Sequence, residues 1–153
     1  MNCGRIALVA LLTTCLPSAA AAALGGSAAS VDADRVKIQG ALITIVRNDA
    51  FTLHEMRSAT GTTVREYVSP AGTVFAVSWE GPWMPDLQQV LGAYFAAYQR
   101  AAPETRAKRR AHGPLTVRDG DLIVQTGGHP RAFSGRAFVQ SLLPPGVQAD
   151  AIR

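Results

Sequence analysis

TVREYVSPAGTVFAVSWEGPWMPDL, residues 63–87, is the stretch from which we predict the fold of this chain. It is typical of two strands joined by a tight turn and followed by a proline-marked entry into a helix. Pro70 suits the second position of the turn because its ring presets φ, and Gly72 tolerates the positive φ that closes a three-residue hairpin loop. A second turn of the same kind, residues 58–61, precedes it and predicts a three-stranded meander over residues 51–81.

The two turns also predict the register of the meander. In the first hairpin, Leu53 pairs with Tyr67, and the two flanking pairs are Glu55 with Arg65 and Arg57 with Thr63. In the second hairpin, Tyr67 pairs with Phe75 and Arg65 with Val77. One face of the sheet then carries a predicted apolar set: Leu53, Tyr67, Phe75, Val77 and Trp79.

A helix is predicted to follow the meander. Pro85 suits its first position, and Asp86 suits the positive end of the helix dipole. Apolar residues recur with helical spacing at Leu87, Val90, Leu91, Tyr94, Phe95 and Tyr98. We expect this stripe to pack on the apolar face of the meander and the helix to end before Pro103.

The flanking segments complete an α+β prediction with an antiparallel sheet. An N-terminal helix is expected over residues 28–40, and the β-branched run after Gly40 fits a strand or a continuing helix. Residues 104–113 are predicted to be a charged loop. Asp119-Gly120 predicts a two-residue hairpin turn, Gly135 an interruption in a last strand, and residues 144–153 a loose tail.

The first 23 residues fit an export signal, and residues 24–153 a single domain. Arg5 precedes an apolar run of about eleven residues, too short for a membrane span, and alanines then supply a cleavage site near Ala22 or Ala23. An ordinary buried helix is the alternative reading. Lipidation at Cys15 is disfavoured because Thr14 is a poor neighbour. We therefore expect a periplasmic or secreted protein with no transmembrane segment after cleavage.

Cysteine and charge limit the chemistry of the mature chain. Both cysteines, Cys3 and Cys15, lie in the signal, so no disulfide or thiolate remains. Removing Arg5 leaves fourteen cations against eleven acidic residues, a net charge of +3. This modest basicity favours an anionic envelope component or an envelope protein as partner and argues against nucleic acid, which selects a concentrated basic stripe. No cofactor or metal is expected, because the three histidines are scattered.

Several motifs together resemble one known family. They are Leu24-Gly25-Gly26 after the export signal, GTTVREYVSPAGTVFAVSWEGP, PDLQQVLGAYF and TGGHPRAFSGRAF. In combination they resemble the secreted proteobacterial family called domain of unknown function 2844, over about residues 24–150. The resemblance implies export and one domain. It carries no activity, substrate or catalytic residue to this chain.

Three surfaces are candidates for function. The segment TGGHPRAFSGR suggests an anion-binding corner formed by His129, Arg131 and Arg136, and a tight turn with solvated arginines is the alternative. A second candidate is an exposed apolar patch for a partner: Trp79, Trp83 and Met84. The same aromatics also fit a role in sealing the edge of the core. The third is the basic run at residues 106–110, for which a solvated loop is favoured over a lipid-phosphate contact.

No catalytic motif stands out. His54-Glu55 lacks the second histidine of a zinc-protease helix, because Ser58 occupies that position, and Ser134 lies outside any nucleophile elbow. The leading hypothesis is therefore a non-enzymatic exported binding or accessory module of the cell envelope. The alternative is a periplasmic hydrolase that uses His129 or His54.

Overall fold

Seven strands form one antiparallel sheet in a computed structural model, which describes residues 24–28, 41–108 and 114–153. The strands are β1 (Ala41–Arg47), β2 (Thr52–Arg57), β3 (Thr63–Val68), β4 (Val74–Gly81), β5 (Leu115–Asp119), β6 (Leu122–His129) and β7 (Ala132–Val139). Their order across the sheet is β1-β2-β3-β4-β7-β6-β5. The molecule is thus α+β-like and mostly sheet, and the run after Gly40 is a strand. The helix predicted for residues 28–40 lies, apart from residue 28, outside the described residues.

The first predicted hairpin register is confirmed, and the second is wrong. Leu53 lies opposite Tyr67 and Glu55 opposite Arg65. Between β3 and β4, however, Val68 pairs with Val74 whereas Tyr67 pairs with Ala76. Phe75 is therefore an extra residue, a β-bulge, and a bulge reverses the facing of every residue after it relative to the regular register.

The bulge divides the predicted apolar face between the two sides of the sheet. Val77 and Trp79 lie with Val64 on the side that packs against the helix. Phe75 stays with Tyr67 on the opposite side. The side of the sheet that packs against the helix carries the larger core, and both sides of the sheet are covered.

The helical region consists of α1 (Leu87–Leu91), one 3-10 turn (Gly92–Tyr94) and α2 (Phe95–Lys108). Asp86 caps α1, because its Oδ1 accepts a hydrogen bond from the Gln88 N–H at 2.9 Å. The predicted stripe faces the sheet, but it packs on the side opposite Leu53, Tyr67 and Phe75, so the predicted contact with that face is wrong. The stripe residues in this core are Val90, Leu91 and Tyr98, which are buried, and Leu87, Tyr94 and Phe95, which pack against them.

The predicted helix end before Pro103 is wrong, and so is the loop predicted to begin at residue 104. Pro103 lies inside α2, which continues to Lys108. A proline removes one N–H donor from the helix. Here the next turn is still held, because Ala102 is buried and the Thr105 hydroxyl donates to the Ala101 carbonyl at 3.0 Å. Residues 109–113 lie outside the described residues.

The predicted loose tail is also wrong. After β7 the chain makes a 3-10 turn (Gln140–Leu142), crosses the side of the sheet opposite the helix and makes a second 3-10 turn (Ala149–Ala151). Ile152 is only 1% exposed and packs with Tyr67, Phe75 and Phe138. These side chains form an apolar face that the helix does not reach, and the C-terminal segment covers it.

The last two hairpins differ in detail from the prediction. Asp119 pairs with Leu122, so the turn residues are Gly120 and Asp121, one position later than expected. Gly120 alone has positive φ in that turn, which places glycine at the first turn position as in a type II′ turn. The last strand is not interrupted at Gly135, because β7 pairs continuously with β6 through that residue.

Candidate functional site

A row of polar side chains crosses the sheet on the side that carries the C-terminal segment. Five residues occupy successive paired positions on five neighbouring strands: Glu55, Arg65, Ser78, Arg136 and Gln125. At one end of the row, Arg65 Nε donates to Glu55 Oε2 at 2.6 Å. At the other end, Arg136 Nε donates to Gln125 Oε1, also at 2.6 Å. The two guanidinium groups are therefore oriented by the neighbouring strands before any ligand arrives.

The polar row holds the main chain of the C-terminal segment. Arg136 Nη1 donates to the carbonyl oxygens of Ala149 at 2.6 Å and Ile152 at 3.0 Å. The Ser78 hydroxyl donates to the main-chain oxygen of Arg153 at 2.7 Å. Tyr67 does the same at 2.8 Å, and its oxygen accepts from the Arg153 N–H. One established role of this row is thus to fix the segment that covers the second core.

An open cleft of about 300 Å³ lies beside the polar row, at the end of the sheet where β4, β6 and β7 meet. We call it the arginine cleft. Its lining includes three cations and one acidic residue: Arg65, Arg136, Arg153 and Glu80. Pro114, Gly127 and Ile152 contribute apolar surface. Arg65 and Arg136 make their hydrogen bonds through Nε and Nη1, so both guanidinium groups face the side of the sheet on which the cleft lies.

Two glycines at this end of the sheet, Gly127 and Gly135, leave space that a side chain would occupy. Gly127 lines the cleft, and a β-carbon there would lie 3.5 Å from Pro114, an ordinary contact. Gly135 also lines the cleft, but a β-carbon there would lie 2.5 Å from Cε2 of the Trp79 ring. The indole thus occupies the space that any side chain at residue 135 needs.

The three residues of the predicted anion-binding corner are not brought together. His129 and Arg131 lie at the exposed tip of the β6–β7 hairpin, where His129 pairs with Ala132 and the turn residues are Pro130 and Arg131. Arg131 has φ of 71°, as the third position of a type II turn requires. Arg136 lies about 16 Å further along the strand at the usual rise per residue. Only Arg136 lines the arginine cleft.

The predicted apolar patch is also divided. Trp79 is 1% exposed and belongs to the core, with its indole N–H making no hydrogen bond to the described residues. Trp83 is 61% exposed and Met84 39% exposed. Trp79 therefore seals the core, which was the alternative to an exposed patch. Trp83 and Met84 form exposed apolar surface.

The histidines that can be placed are separate from the cleft. His54 lies opposite Glu66 on β3, as the predicted register has it. Exposed His129 has Nδ1 3.2 Å from the carbonyl oxygen of Pro130. His112 lies outside the described residues. Among the described residues, no three His, Cys, Asp or Glu side chains group in a way that could hold a metal ion.

Sequence reasoning missed four of the residues that line the cleft: Arg65, Glu80, Gln125 and Arg153. The predicted position of Arg65 opposite Glu55 is confirmed. The proximity of Arg65 to Arg136, however, depends on two features that the sequence does not reveal. One is the bulge at Phe75, and the other is the pairing of β4 with β7. Polar residues at alternate positions of a strand are the available signal, and it does not reveal which strands are neighbours.

Comparison with known proteins identifies a family. The sequence model of the family described as "Protein of unknown function (DUF2844)" matches residues 20–152. No curated protein and no solved structure matches the chain. None of the helices in the described residues has the length and apolar character needed to cross a membrane. The match spans most of the chain and confirms the resemblance seen in its motifs. The chain therefore belongs to the DUF2844 family.

Proposed function

We propose that this protein is an exported, non-enzymatic binding module that receives an anionic group of a cell-envelope component in the arginine cleft. The observation that carries the proposal is the pair of oriented guanidinium groups beside an open cleft of about 300 Å³. Guanidinium groups form paired hydrogen bonds with carboxylate and phosphate oxygens, and a fixed orientation lowers the entropy lost on binding.

Charge in the cleft favours an anion over a cation. Three arginines and one glutamate line it, and the glutamate, Glu80, is 73% exposed and therefore well solvated. Glu55 already offsets part of the charge of Arg65. The case for an anion therefore depends on the guanidinium groups themselves, which donate hydrogen bonds and accept none.

The first test is a capture experiment that uses envelope extract of the native host and the immobilised chain at low and high salt. We expect an anionic component to be retained at low salt and released at high salt, because added salt screens charges that remain partly solvated. A component retained at both salt concentrations would instead point to an apolar contact, and no retention at either would contradict a binding role.

Two variants assign the retained component to the cleft. Gly127→Val places a side chain against Pro114 and fills the cleft while keeping every arginine. Arg118→Gln is the matched control, because it removes an exposed cation of β5 that does not line the cleft. We expect Gly127→Val to abolish retention and Arg118→Gln to leave it intact. Equal retention by both variants would overturn the assignment.

The variants His54→Ala and His129→Ala distinguish the binding proposal from the hydrolase alternative. A binding module keeps its retention in both variants, because neither histidine lines the arginine cleft. An enzyme would lose a turnover activity on one of these changes while its melting temperature stays the same. Hydrolysis of an envelope component by the parent chain, abolished in one of the two variants, would replace the binding proposal.

A further inference from the structure

Trp83 is an exposed aromatic residue whose main chain is held by the fold. The hydroxyl of Thr62, a residue that is only 2% exposed, donates to the main-chain oxygen of Trp83 at 2.8 Å and accepts from its N–H at 3.3 Å. Gly81 permits this approach, because a β-carbon there would lie 2.5 Å from the Thr62 Cα. A buried hydroxyl and a close backbone contact thus fix the main chain of Trp83, whose indole contributes little to the core.

A groove of about 360 Å³ adjoins the indole and lies between the 58–62 turn and the start of α1. We call it the tryptophan groove. Its polar lining comprises Ser58, Thr60, Thr62, Asp86 and Gln89. Ser58 Oγ and Thr60 Oγ1 lie 2.8 Å apart, and Ser58 Oγ also accepts from the Thr62 N–H, so these hydroxyls are ordered. Asp86 uses Oδ1 to cap α1 and is an exposed residue.

The lining distinguishes this groove from the arginine cleft. Asp86 is the one charged residue among the described residues that line it, and no cation does. Its negative charge disfavours phosphate and carboxylate ligands. Hydroxyl, amide and carboxylate groups around an apolar ring match a neutral molecule that has hydroxyls at its edge and C–H groups on its face. Sugar rings have that combination.

We infer that the tryptophan groove is a binding site for an uncharged saccharide, with one sugar ring stacked on the Trp83 indole and its hydroxyls donating to Asp86. The broad, rigid indole offers contact area with little loss of side-chain entropy. Met84, which also lines the groove, extends the apolar surface beside the ring. The inference is independent of the arginine cleft, since the two sites share no lining residue.

The test uses tryptophan fluorescence, because the chain has only two tryptophans and Trp79 is buried. The probes are tetrasaccharides of N-acetylglucosamine and of glucose at millimolar concentration. We expect at least one of them to shift the emission and protect Trp83 from acrylamide quenching. Trp83→Ala should weaken binding by at least about tenfold, measured by calorimetry, and Trp83→Phe should retain part of the affinity.

Two further variants keep the result interpretable. Asp86→Asn preserves the helix cap, since asparagine caps as well as aspartate, yet removes the strong acceptor for sugar hydroxyls. It should weaken saccharide binding with no change in melting temperature. Val46→Ala, which also removes exposed apolar surface but lies on β1, should bind as the parent chain does.

Three results would overturn the inference. They are no binding of either tetrasaccharide, equal binding by the parent and Trp83→Ala, or concentration-dependent self-association of the chain that Trp83→Ala abolishes. The last result would assign the groove to a second copy of the chain. Gly127→Val tests whether the two sites are independent. If this variant loses anion retention but binds the saccharide normally, the arginine cleft and the tryptophan groove are separate sites.

Discussion

At the scale of single residues, two neighbouring glycines of the β6–β7 hairpin have opposite roles. Gly135 is required, because the Trp79 ring and the main-chain oxygen of Gln125 occupy the space of its missing side chain. Gly127 has only ordinary contacts at the corresponding point and no positive φ. Neither glycine has a positive φ, so contacts and not backbone angles distinguish them.

Gly135→Ala should therefore lower the free energy of unfolding by about 1–3 kcal/mol, because the buried indole has no room to move without disturbing the core. Gly127→Ala is the matched control, and it should leave the unfolding free energy within about 1 kcal/mol of the parent value. Denaturant unfolding of both variants measures the difference. Equal stability of the two would mean that the Trp79 ring relaxes freely.

At the scale of elements, the helix and the C-terminal segment each depart from what local sequence rules predict. Pro103 breaks the hydrogen-bond ladder of α2 but not the helix, because packing of Ala102 and the Thr105 side chain support the following turn. The C-terminal segment has a composition typical of a loose tail, yet the polar row fixes its main chain and Ile152 completes a core.

Pro103→Ala should raise the free energy of unfolding by about 1–3 kcal/mol, since alanine restores the missing N–H donor inside a helix. Pro130→Ala offers a contrast, because proline there presets the turn between β6 and β7 and its loss should cost about 0.5–1 kcal/mol. Thermal and denaturant unfolding measure both. A destabilised Pro103→Ala would show that the helix depends on the proline ring through packing.

Ile152→Ala should lower the free energy of unfolding by about 2–5 kcal/mol, as expected for a fully buried isoleucine. Ile45→Ala is the matched control: Ile45 lies on the edge strand β1 and is 44% exposed, so its loss should cost less than about 1 kcal/mol. A similar small cost at both positions would show that the C-terminal segment does not stay on the sheet in solution.

At the scale of the whole molecule, the residues just after the predicted signal contact the sheet and the helical region. Leu24 is 1% exposed, and the Gly25 N–H donates to the Val74 carbonyl at 2.8 Å. Tyr94 packs over Gly25, whose φ is 82°. Leu24, which follows the predicted cleavage site, is thus part of the core.

We expect the exported protein to have lost residues 1–22 or 1–23 and to carry no lipid. Expression in a bacterial host, cell fractionation and intact-mass measurement of the chain check this expectation. The physical reason is the order of a basic start, a short apolar run and small residues, which signal peptidase recognises. A chain that retains its first 23 residues, or one lipidated at Cys15, would contradict it.

Short-range signals in the sequence determined the first hairpin, the start of the helix and the buried face of the helix. The first hairpin register follows from the residues 58–61 turn, the α1 start from Asp86, and the buried helix stripe from its 3.6-residue spacing. The family match also depends on sequence motifs alone. Each of these features is decided within a few residues, by turn geometry, capping or periodicity.

Only the tertiary structure decided which faces are core and where a ligand finds room. One extra residue at Phe75 moved Trp79 to the helix side, and the pairing of β4 with β7 set Arg136 two strands from Arg65. It also separated Arg136 from His129 and Arg131, and buried Trp79 while leaving Trp83 exposed. These outcomes depend on contacts between residues far apart in the chain, and the free energy of burying both sides of one sheet selects among them.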